Sequence, residues 1–274
     1  MAVSLHNSLS PAQVEEFRDR GVIRLPGYLS PALARPVYRE VADVLESAGA
    51  LKDGDWVVPR PAGDADGWAV HSRYMKKLKP VMKRSEALAA LSSPEVWSAA
   101  RDLMGGRELT TFGDVPQLLF TAPNADAWTI PHKVWHMDMP RLGEVGCPGV
   151  QMFTFVDEVK PGSGATVVAS GSHRFVNDDG YVRSKDVKKR LQKHEWFKLL
   201  FSAGDSDRVE TLLSPTPDGE GEGVLQVVEL TGVPGDVWLM DLRMLHSLAP
   251  NASDKPRLMA TQRYALPGLS FGDQ

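Results

Sequence analysis

Apolar residues recur at helical spacing through the first third of the chain. Three of these stretches begin with a serine followed by a proline. The pairs are Ser10-Pro11, Ser30-Pro31 and Ser93-Pro94. A serine side chain caps the free backbone N–H groups of a helix, and proline suits the first helical position because its missing N–H is not needed there. The pattern predicts that residues 1–110 are mostly helical.

From about residue 111 onward, short apolar runs alternate with Gly, Pro, Asn and Asp, which is typical of antiparallel strands joined by turns. The predicted strands are 117–121, 128–136, 150–156, 165–169, 224–230, 237–240 and 257–265. They indicate a mainly β sandwich or barrel flanked by α-helices. Residues 185–201 have the pattern of an inserted amphipathic helix, and 214–223 have the composition of a loop. We expect one domain over 1–274, with a helical flank at 1–110 and a β core at 111–270.

Composition narrows the possible functions. The chain has 31 basic and 35 acidic residues and a net charge of −4, so it lacks the positive charge on which nucleic-acid binding depends. Its single cysteine, Cys147, excludes an internal disulfide and any zinc site built on two or more thiolates. A metal site would therefore use histidine and carboxylate ligands.

No signal for secretion or membrane insertion is evident in the sequence. The N-terminus lacks a basic stretch followed by an apolar run, and no stretch of about 18 apolar residues is present. We expect a cytoplasmic protein that does not bind membranes, either a monomer or a homodimer.

The pair His136 and Asp138 is the first candidate for metal binding. Residues two apart on a strand project from the same face, so both side chains can reach one ion. Together with His246 they would supply two imidazoles and one carboxylate, the ligand set of non-heme Fe(II) oxygenases.

Two features near His246 support this interpretation. A Pro-Gly turn at 234–235 leads into an apolar strand before His246, which would hold the imidazole on a rigid element. Arg257 follows 11 residues later at the start of another strand, and its guanidinium can bind a carboxylate through two parallel hydrogen bonds.

Combined, these motifs resemble those of the phytanoyl-CoA dioxygenase-like (PhyH) family of Fe(II)- and 2-oxoglutarate-dependent oxygenases. The resemblance rests on W-H-x-D at 135–138, the apolar strand and acidic turn at 151–158, G-x-x-x-V-x-x-G-S-H at 164–173, and P-G-D…H…N-x-S…R at 234–257. It implies a jelly-roll, or double-stranded β-helix, related to the cupin barrel.

The resemblance also implies roles for particular residues. His136, Asp138 and His246 would bind Fe(II), and Arg257 would bind the distal carboxylate of 2-oxoglutarate. Phe153 would line the cosubstrate pocket. The family often has a hydroxyl two residues after the distal histidine, where this chain has Leu248, so the adjacent Ser247 and the upstream Gln117 are candidates for the second contact.

The implied activity is hydroxylation, or another oxidation, of a C–H bond in a small-molecule substrate. Dioxygen and 2-oxoglutarate would be consumed, and succinate and CO2 released. Two alternatives stay open at this point. One is a non-catalytic jelly-roll protein that binds a small molecule, and the other is a zinc hydrolase using His132 and His136, although Pro131 and Lys133 do not suit that site.

Four further residues are candidates for substrate contact. His132 shares the strand parity of His136, and Arg263 shares that of Arg257. Residues 53–79 are polar but contain Trp56 and Trp68, which favours an aromatic and basic lid loop over the mouth of the barrel. His6, His71 and His194 show no partner pattern and are expected on the surface, whereas His173 closes a turn and is expected to cap it rather than bind a metal.

Overall fold

The computed structural model describes residues 9–61, 64–138, 146–176, 184–204, 206–219, 221 and 223–269 of the 274-residue chain. The α-helices are α1 (Pro11–Arg20), α2 (Ala34–Ser47), α3 (Asp64–Met82), α4 (Glu86–Ala89), α5 (Pro94–Leu103), α6 (Ser184–Leu191), α7 (Glu195–Leu200) and α8 (Ser206–Leu213). The strands are β1 (Val22–Leu25), β2 (Leu51–Lys52), β3 (Asp55–Trp56), β4 (Thr110–Thr111), β5 (Gln117–Thr121), β6 (Gly149–Phe155), β7 (Thr166–Ser170), β8 (Thr216–Pro217), β9 (Val224–Glu229), β10 (Val237–Asp241), β11 (His246–Leu248) and β12 (Arg257–Ala265).

The serine–proline signals mark helix starts as predicted. Ser10 caps α1 and forms a capping box with Gln13. Ser30 precedes a short 3-10 turn that runs into α2, and Ser93 precedes α5. The N-terminal part is not only helical, however, because β1 pairs with β10 and so belongs to the larger sheet.

The prediction of a lid loop at 53–79 is wrong. Most of the segment is α3, and β2 and β3 form a hairpin before it. Tyr74, Leu78 and Met82 recur every four residues and are buried against α2 and the larger sheet, whereas half of the six residues between them are lysines. Burial of this narrow apolar stripe stabilises the helix despite its polar composition.

Two sheets form the core of the protein. The larger, six-stranded sheet has the order β1-β10-β6-β12-β4, with β5 also paired to β12, and the smaller has the order β11-β7-β9-β8. Phe153 and Met259 of the larger sheet pack with Val168 and Leu230 from the other side, so the sheets face each other across one apolar cluster. This is the expected jelly roll, with two open sheets rather than a closed barrel among the described strands.

Helices cover the outer faces of both sheets. Helices α1 and α5 pack on β6 and β10, and α2 and α3 pack on β5 and β12. On the other side, α6, α7 and α8 pack on β7 and β9. Along β12, residues 257, 259, 261 and 263 share the face that points between the sheets.

Three local predictions needed correction. Residues 185–201 form two helices rather than one, because His194 caps α7 and accepts a hydrogen bond from the Trp196 N–H at 3.2 Å. The predicted strand 128–136 does not form, and only His136 pairs, through one isolated bridge. The loop 214–223 contains the short strand β8.

None of the helices in the described ranges is long and apolar enough to cross a membrane.

Gly149 is predicted to be essential for the pairing of β6 with β12. A Cβ atom at this position would lie 2.3 Å from the Tyr264 carbonyl oxygen and 2.7 Å from Ala265 Cα. Since both are backbone atoms of β12, the Gly149→Ala variant should lose about 1–3 kcal/mol of unfolding free energy. Chemical denaturation measures this loss. Gly221→Ala is the control, because nothing lies within 4 Å of its added Cβ, and equal stability of the two variants would contradict the steric argument.

Candidate metal centre

His136, Asp138 and His246 converge on one point at the edge of the smaller sheet. Their candidate ligand atoms all lie within 4.8 Å of one another. The Nε2 atom of His136 is 4.0 Å from Asp138 Oδ1, and that of His246 is 3.7 Å from Asp138 Oδ2. Asp138 and His246 are buried, whereas the His136 side chain is 49% exposed. The three side chains therefore form a pocket that is open on the His136 side.

The two histidines are direct neighbours through their backbones. The His136 N–H donates to the His246 carbonyl at 3.0 Å, and the His246 N–H donates to the His136 carbonyl at 2.9 Å. This antiparallel pair fixes the separation of the imidazoles, whose ring centroids are 4.3 Å apart. A segment without a regular strand thus gains a defined position next to β11.

Each imidazole is oriented by a backbone carbonyl two residues earlier in the chain. The Nδ1 atoms of His136 and His246 lie 3.1 Å from the carbonyl oxygens of Val134 and Met244. A protonated Nδ1 donating to these oxygens leaves the lone pair of each Nε2 directed at the shared site. Burial lowers the pKa of His136, and the neighbouring His246 lowers it further, which favours the neutral, metal-binding form.

The carboxylate of Asp138 is held by two further side chains. Arg263 donates to Oδ2 through Nε at 2.9 Å and also through Nη2, and Gln151 Nε2 donates to the same oxygen at 3.2 Å. Burial alone would raise the pKa of Asp138, but His246 and Arg263 together hold it well below its usual range. Asp138 is therefore ionised, and Oδ1 accepts no hydrogen bond from Arg263 or Gln151.

A cavity of about 350 Å³ extends from this triad between the sheets. Besides the triad and Arg263, it is lined by polar residues and by apolar residues of β5, β6, β11 and α3. The polar set is His71, Gln117, Gln151, Thr166, Ser247, Arg257 and Thr261, and the apolar set is Met75, Leu118, Leu119, Phe120, Phe153 and Leu248. The triad and the predicted carboxylate-binding arginine thus share one cavity.

Arg257 lies in this cavity without a carboxylate partner among the described residues. It is 3% exposed, and its Nε and Nη2 atoms donate to Thr121 Oγ1 at 3.2 and 2.5 Å. Burial lowers the pKa of Arg257 to about 9, still high enough to keep the guanidinium charged at neutral pH. A buried cation of this kind favours an anionic ligand.

His71 is a cavity residue that the sequence analysis placed on the surface. It projects from α3 and stacks on Phe120 with ring centroids 6.1 Å apart. Burial lowers the pKa of His71, and the positive charge of Arg257 lowers it further. The residue was missed because α3 was interpreted as a loop, and only a helix places His71 and Met75 on one face.

Most of the predicted cosubstrate residues line the cavity. Gln117 and Phe153 do so from β5 and β6. Ser247 also borders the cavity. Its side chain, however, points to the same side of β11 as Leu245 and Ala249, which pack under α6–α8. Ser247 Oγ is buried there without a hydrogen-bond partner in the described part. Leu248 of β11 pairs with Thr166 of β7. Thr166 therefore provides a hydroxyl next to position 248, where the family often has one.

The candidate substrate residues are placed differently from the predictions. Arg263 holds Asp138 and so forms part of the metal site. Trp56 is not among the cavity-lining residues, because it packs edge-on against Tyr74 with centroids 5.3 Å apart. His132 is also absent from the lining, because the strand needed to direct its side chain inward does not form. Trp68 lies in α3, with its side chain outside the described part.

His173 and His194 lie away from the candidate metal site, and His194, expected on the surface, is only partly exposed. His173 is buried and its Nε2 lies 2.9 Å from the Arg18 carbonyl at the end of α1, and His194 caps α7. His6 is outside the described residues.

Helices α6–α8 hold the chain segment that carries His136 and Asp138. Arg208 of α8 is 4% exposed and donates to the carbonyls of Ile130 and Pro131 at 2.9 and 3.3 Å. Its other hydrogen bonds go to two carbonyls at the end of α7, and no carboxylate pairs with it within the ranges described. Lys188 of α6 donates to the Lys133 carbonyl at 2.8 Å. Side chains of the insert thus fix the segment in addition to its two backbone hydrogen bonds to β11.

The fold and this site together define a jelly-roll protein with a candidate metal centre of two histidines and one carboxylate. The family model for phytanoyl-CoA dioxygenase (PhyH) matches residues 17–259. The chain belongs to this family, which confirms the resemblance seen in the sequence. No curated protein matches the chain.

Several solved structures have a fold similar to that of this chain. SnoK, an alpha-ketoglutarate-dependent carbocyclase of nogalamycin biosynthesis, is 17% identical with a TM-score of 0.59 over 97% of this chain and 88% of its own. AviO1 from Streptomyces viridochromogenes Tue57 is 18% identical with a TM-score of 0.56 over 99% of this chain and all of its own. HygX from Streptomyces hygroscopicus, solved with nickel and 2-oxoglutarate, is 15% identical with a TM-score of 0.54 over 95% of this chain and 88% of its own. At these identities the likeness concerns the fold.

Replacement of Arg208 by methionine should weaken metal binding without unfolding the protein. The change leaves the Ile130 and Pro131 carbonyls without their donor and frees the segment before His136. We expect about a tenfold higher Kd for Co²⁺, by analogy with the loss of groups that orient metal ligands. Calorimetric titration of protein shown to be folded by circular dichroism measures this effect.

Arg101→Met provides the control for Arg208→Met. Arg101 of α5 also donates to a backbone carbonyl, that of Gly106 at 3.2 Å, but on the opposite side of the molecule. Its Kd for Co²⁺ should be unchanged. Equal affinities in the two variants would show that the insert does not position the ligands.

Proposed function

We propose that the protein is an Fe(II)- and 2-oxoglutarate-dependent oxygenase that hydroxylates a C–H bond of a small molecule and releases succinate and CO2. One observation carries this proposal: the His136, Asp138 and His246 triad shares a cavity with Arg257, a buried cation that has no carboxylate partner among the described residues. The first group fits a metal ion, and the second fits the far carboxylate of a dicarboxylate cosubstrate.

The donor set suits Fe(II). Two neutral imidazoles and one carboxylate on one side of an ion are the facial arrangement of non-heme iron oxygenases, which leaves positions for a chelating cosubstrate and dioxygen. When bound, the iron would supply the activation of dioxygen that C–H oxidation requires. His136 and His246 would each provide Nε2, and Asp138 would provide Oδ1, while Arg263 and Gln151 keep the carboxylate ionised and in place.

Arg257 is the residue best placed to bind the distal carboxylate of 2-oxoglutarate. Its guanidinium is fixed by Thr121, and the hydroxyl proton of Thr121 is free to be donated to the same carboxylate because Oγ1 accepts from Arg257. Arg263 is already engaged by Asp138, so it does not compete for this role. Gln117 and Phe153 would line the pocket, whereas Ser247 would contribute backbone rather than hydroxyl contacts.

The inner end of the cavity, away from its open His136 side, also suits a charged cosubstrate that is shielded from bulk water. Phe153 and Phe120 are buried, and Met75 and His71 of α3 cover the end of the cavity near Arg257. Exclusion of water strengthens the charge pairing of the cosubstrate with Arg257 and protects reactive species from quenching. These are properties of a reaction site rather than of a simple binding pocket.

Hydroxylation is the simplest reaction for this site. The same assay would also detect a related oxidation product. SnoK, with the same fold, is a carbocyclase, so the product must be identified by mass spectrometry. A mass gain of one oxygen indicates hydroxylation, and a loss of two hydrogens indicates ring closure or desaturation. A protein that binds metal and 2-oxoglutarate but never forms succinate would instead support the non-catalytic alternative.

Asp138→Ala should abolish both iron binding and succinate formation. The substitution removes one ligand and leaves Arg263 as an uncompensated positive charge beside the two imidazoles, which opposes binding of a cation. Anaerobic equilibrium dialysis with Fe(II) and an assay of 2-oxoglutarate-dependent succinate release measure the two losses. Asp157→Ala removes a carboxylate outside the cavity and should change neither. Iron binding by folded Asp138→Ala protein at the wild-type level would contradict the ligand assignment.

Arg257→Met should raise the KM for 2-oxoglutarate and leave the Kd for Fe(II) unchanged. Loss of charge-assisted hydrogen bonds to a carboxylate costs about 1.5–3 kcal/mol, which corresponds to an increase of roughly 10- to 150-fold. Arg263→Met is a matched substitution on the same face of β12 and should have the opposite pattern, with weaker iron binding. A KM that rises only in Arg263→Met would transfer the carboxylate role to Arg263.

A further inference from the structure

A second cavity of about 510 Å³ lies beside the metal cavity, between α3 and the turn that joins β4 to β5. It is lined by Met75, Leu78, Lys79, Met82, Lys83, Gly113, Asp114, Val115, Pro116, Gln117 and Leu118. We refer to this set as the α3 groove. Its volume is in the range that holds a small-molecule ligand.

The floor of the groove is apolar. Leu78, Met82 and Leu118 are buried, and they belong to the cluster that packs α3 on the larger sheet. Val115 and Pro116 add apolar surface from the opposite wall. Because Leu78, Met82 and Leu118 are almost fully buried, the apolar surface that a ligand could cover comes mainly from the partly exposed Met75 and Val115. This surface suits a small hydrocarbon or ring, which would gain free energy by leaving water.

The charges of the groove are not neutralised within the protein. Lys79 and Lys83 are one helical turn apart and both line the groove. Both are exposed, and no carboxylate of the described chain forms an ion pair with either of them. Asp114 is the single carboxylate of the lining, so the groove carries a net positive charge.

The groove adjoins the metal cavity. Met75, Gln117 and Leu118 line both spaces. A molecule lying on the apolar floor would therefore have one end next to the residues that border the triad. The outer end of the same molecule would lie near Lys79 and Lys83.

We propose that the α3 groove binds the body of the substrate, and that this substrate is an amphipathic anion with an apolar body and a carboxylate, phosphate or sulfate group. The anionic group pairs with Lys79 and Lys83, and the body lies between Met75 and Val115, against the wall that the groove shares with the metal cavity. The assignment to a substrate rests on the proposed function, whereas the binding of an apolar anion by the groove does not.

Two fluorescent naphthalene probes of nearly equal shape test the binding. One is 8-anilinonaphthalene-1-sulfonate, an apolar anion, and the other is N-phenyl-1-naphthylamine, which lacks the sulfonate. The wild-type protein should bind the anionic probe more tightly. The Lys79→Glu/Lys83→Glu double variant should raise the Kd of the anionic probe about tenfold and leave that of the neutral probe within twofold.

Three further variants control the test. Lys77→Glu makes half the charge change of the double variant, on the opposite side of α3 from Lys79, and should not alter binding, since residues two apart are about 200° apart around a helix. Asp114→Asn should tighten binding of the anionic probe. Val115→Trp fills the groove and should weaken binding of both probes, which would place them there.

These measurements distinguish failure of the groove proposal from failure of the oxygenase proposal. The probe measurements need no metal, so they should give the same result with Asp138→Ala protein, in which turnover is lost. The proposal fails if the anionic probe does not bind, if Lys77→Glu weakens binding as much as the double variant, or if Val115→Trp has no effect on either probe. It fails as a substrate site if added anionic probe does not inhibit or stimulate succinate formation by the iron-loaded wild-type enzyme.

Discussion

The backbone pair between His136 and His246 is the constraint on which the site depends. The segment before His136 is not a strand, so two hydrogen bonds between His136 and His246 are its only backbone pairing with the smaller sheet in the described structure. Asp138 lies two residues after His136, so the backbone pair also limits where Asp138 can lie. The remaining support comes from α6–α8, through Arg208 and the packing of Trp135. The insert helices are therefore part of the metal site, although they contribute no ligand.

The second organising feature is the separation of two arginines along β12. Arg257 and Arg263 share one face of the strand and one cavity, but they have different environments. Arg263 is paired with Asp138 and so stabilises the carboxylate of the triad. Arg257 contacts only neutral atoms, the Thr121 hydroxyl and the Met259 sulfur, and so retains a full charge for a ligand. One strand thus provides support for the metal at one end and an anion site at the other.

The sequence was sufficient for the parts of the site that follow from strand alternation and motif spacing. The triad, Arg257 and Phe153 could be predicted from motif spacing and from the family resemblance. His246, Arg257 and Phe153 lie on strands that form, whereas the strand expected to carry His136 does not. Gln151 could also have been found, as a polar residue of the same parity as Phe153 in an otherwise apolar strand. The support from Arg208 and the position of His71 could not be predicted, because both depend on how separate helices pack on the sheets. Trp56 and His132 were misplaced for the same reason, since their directions were assigned to local structures that do not form.

Helix α3 shows why the reaction and its specificity have different origins in this fold. The ligands and Arg257 come from strands and strand-like segments of the two sheets, whose register leaves little freedom. His71 and Met75, by contrast, come from a helix that is held only by a narrow apolar stripe and carries lysines on its other faces. Substitutions on those faces alter the charge and shape of the space beside the triad without disturbing the metal.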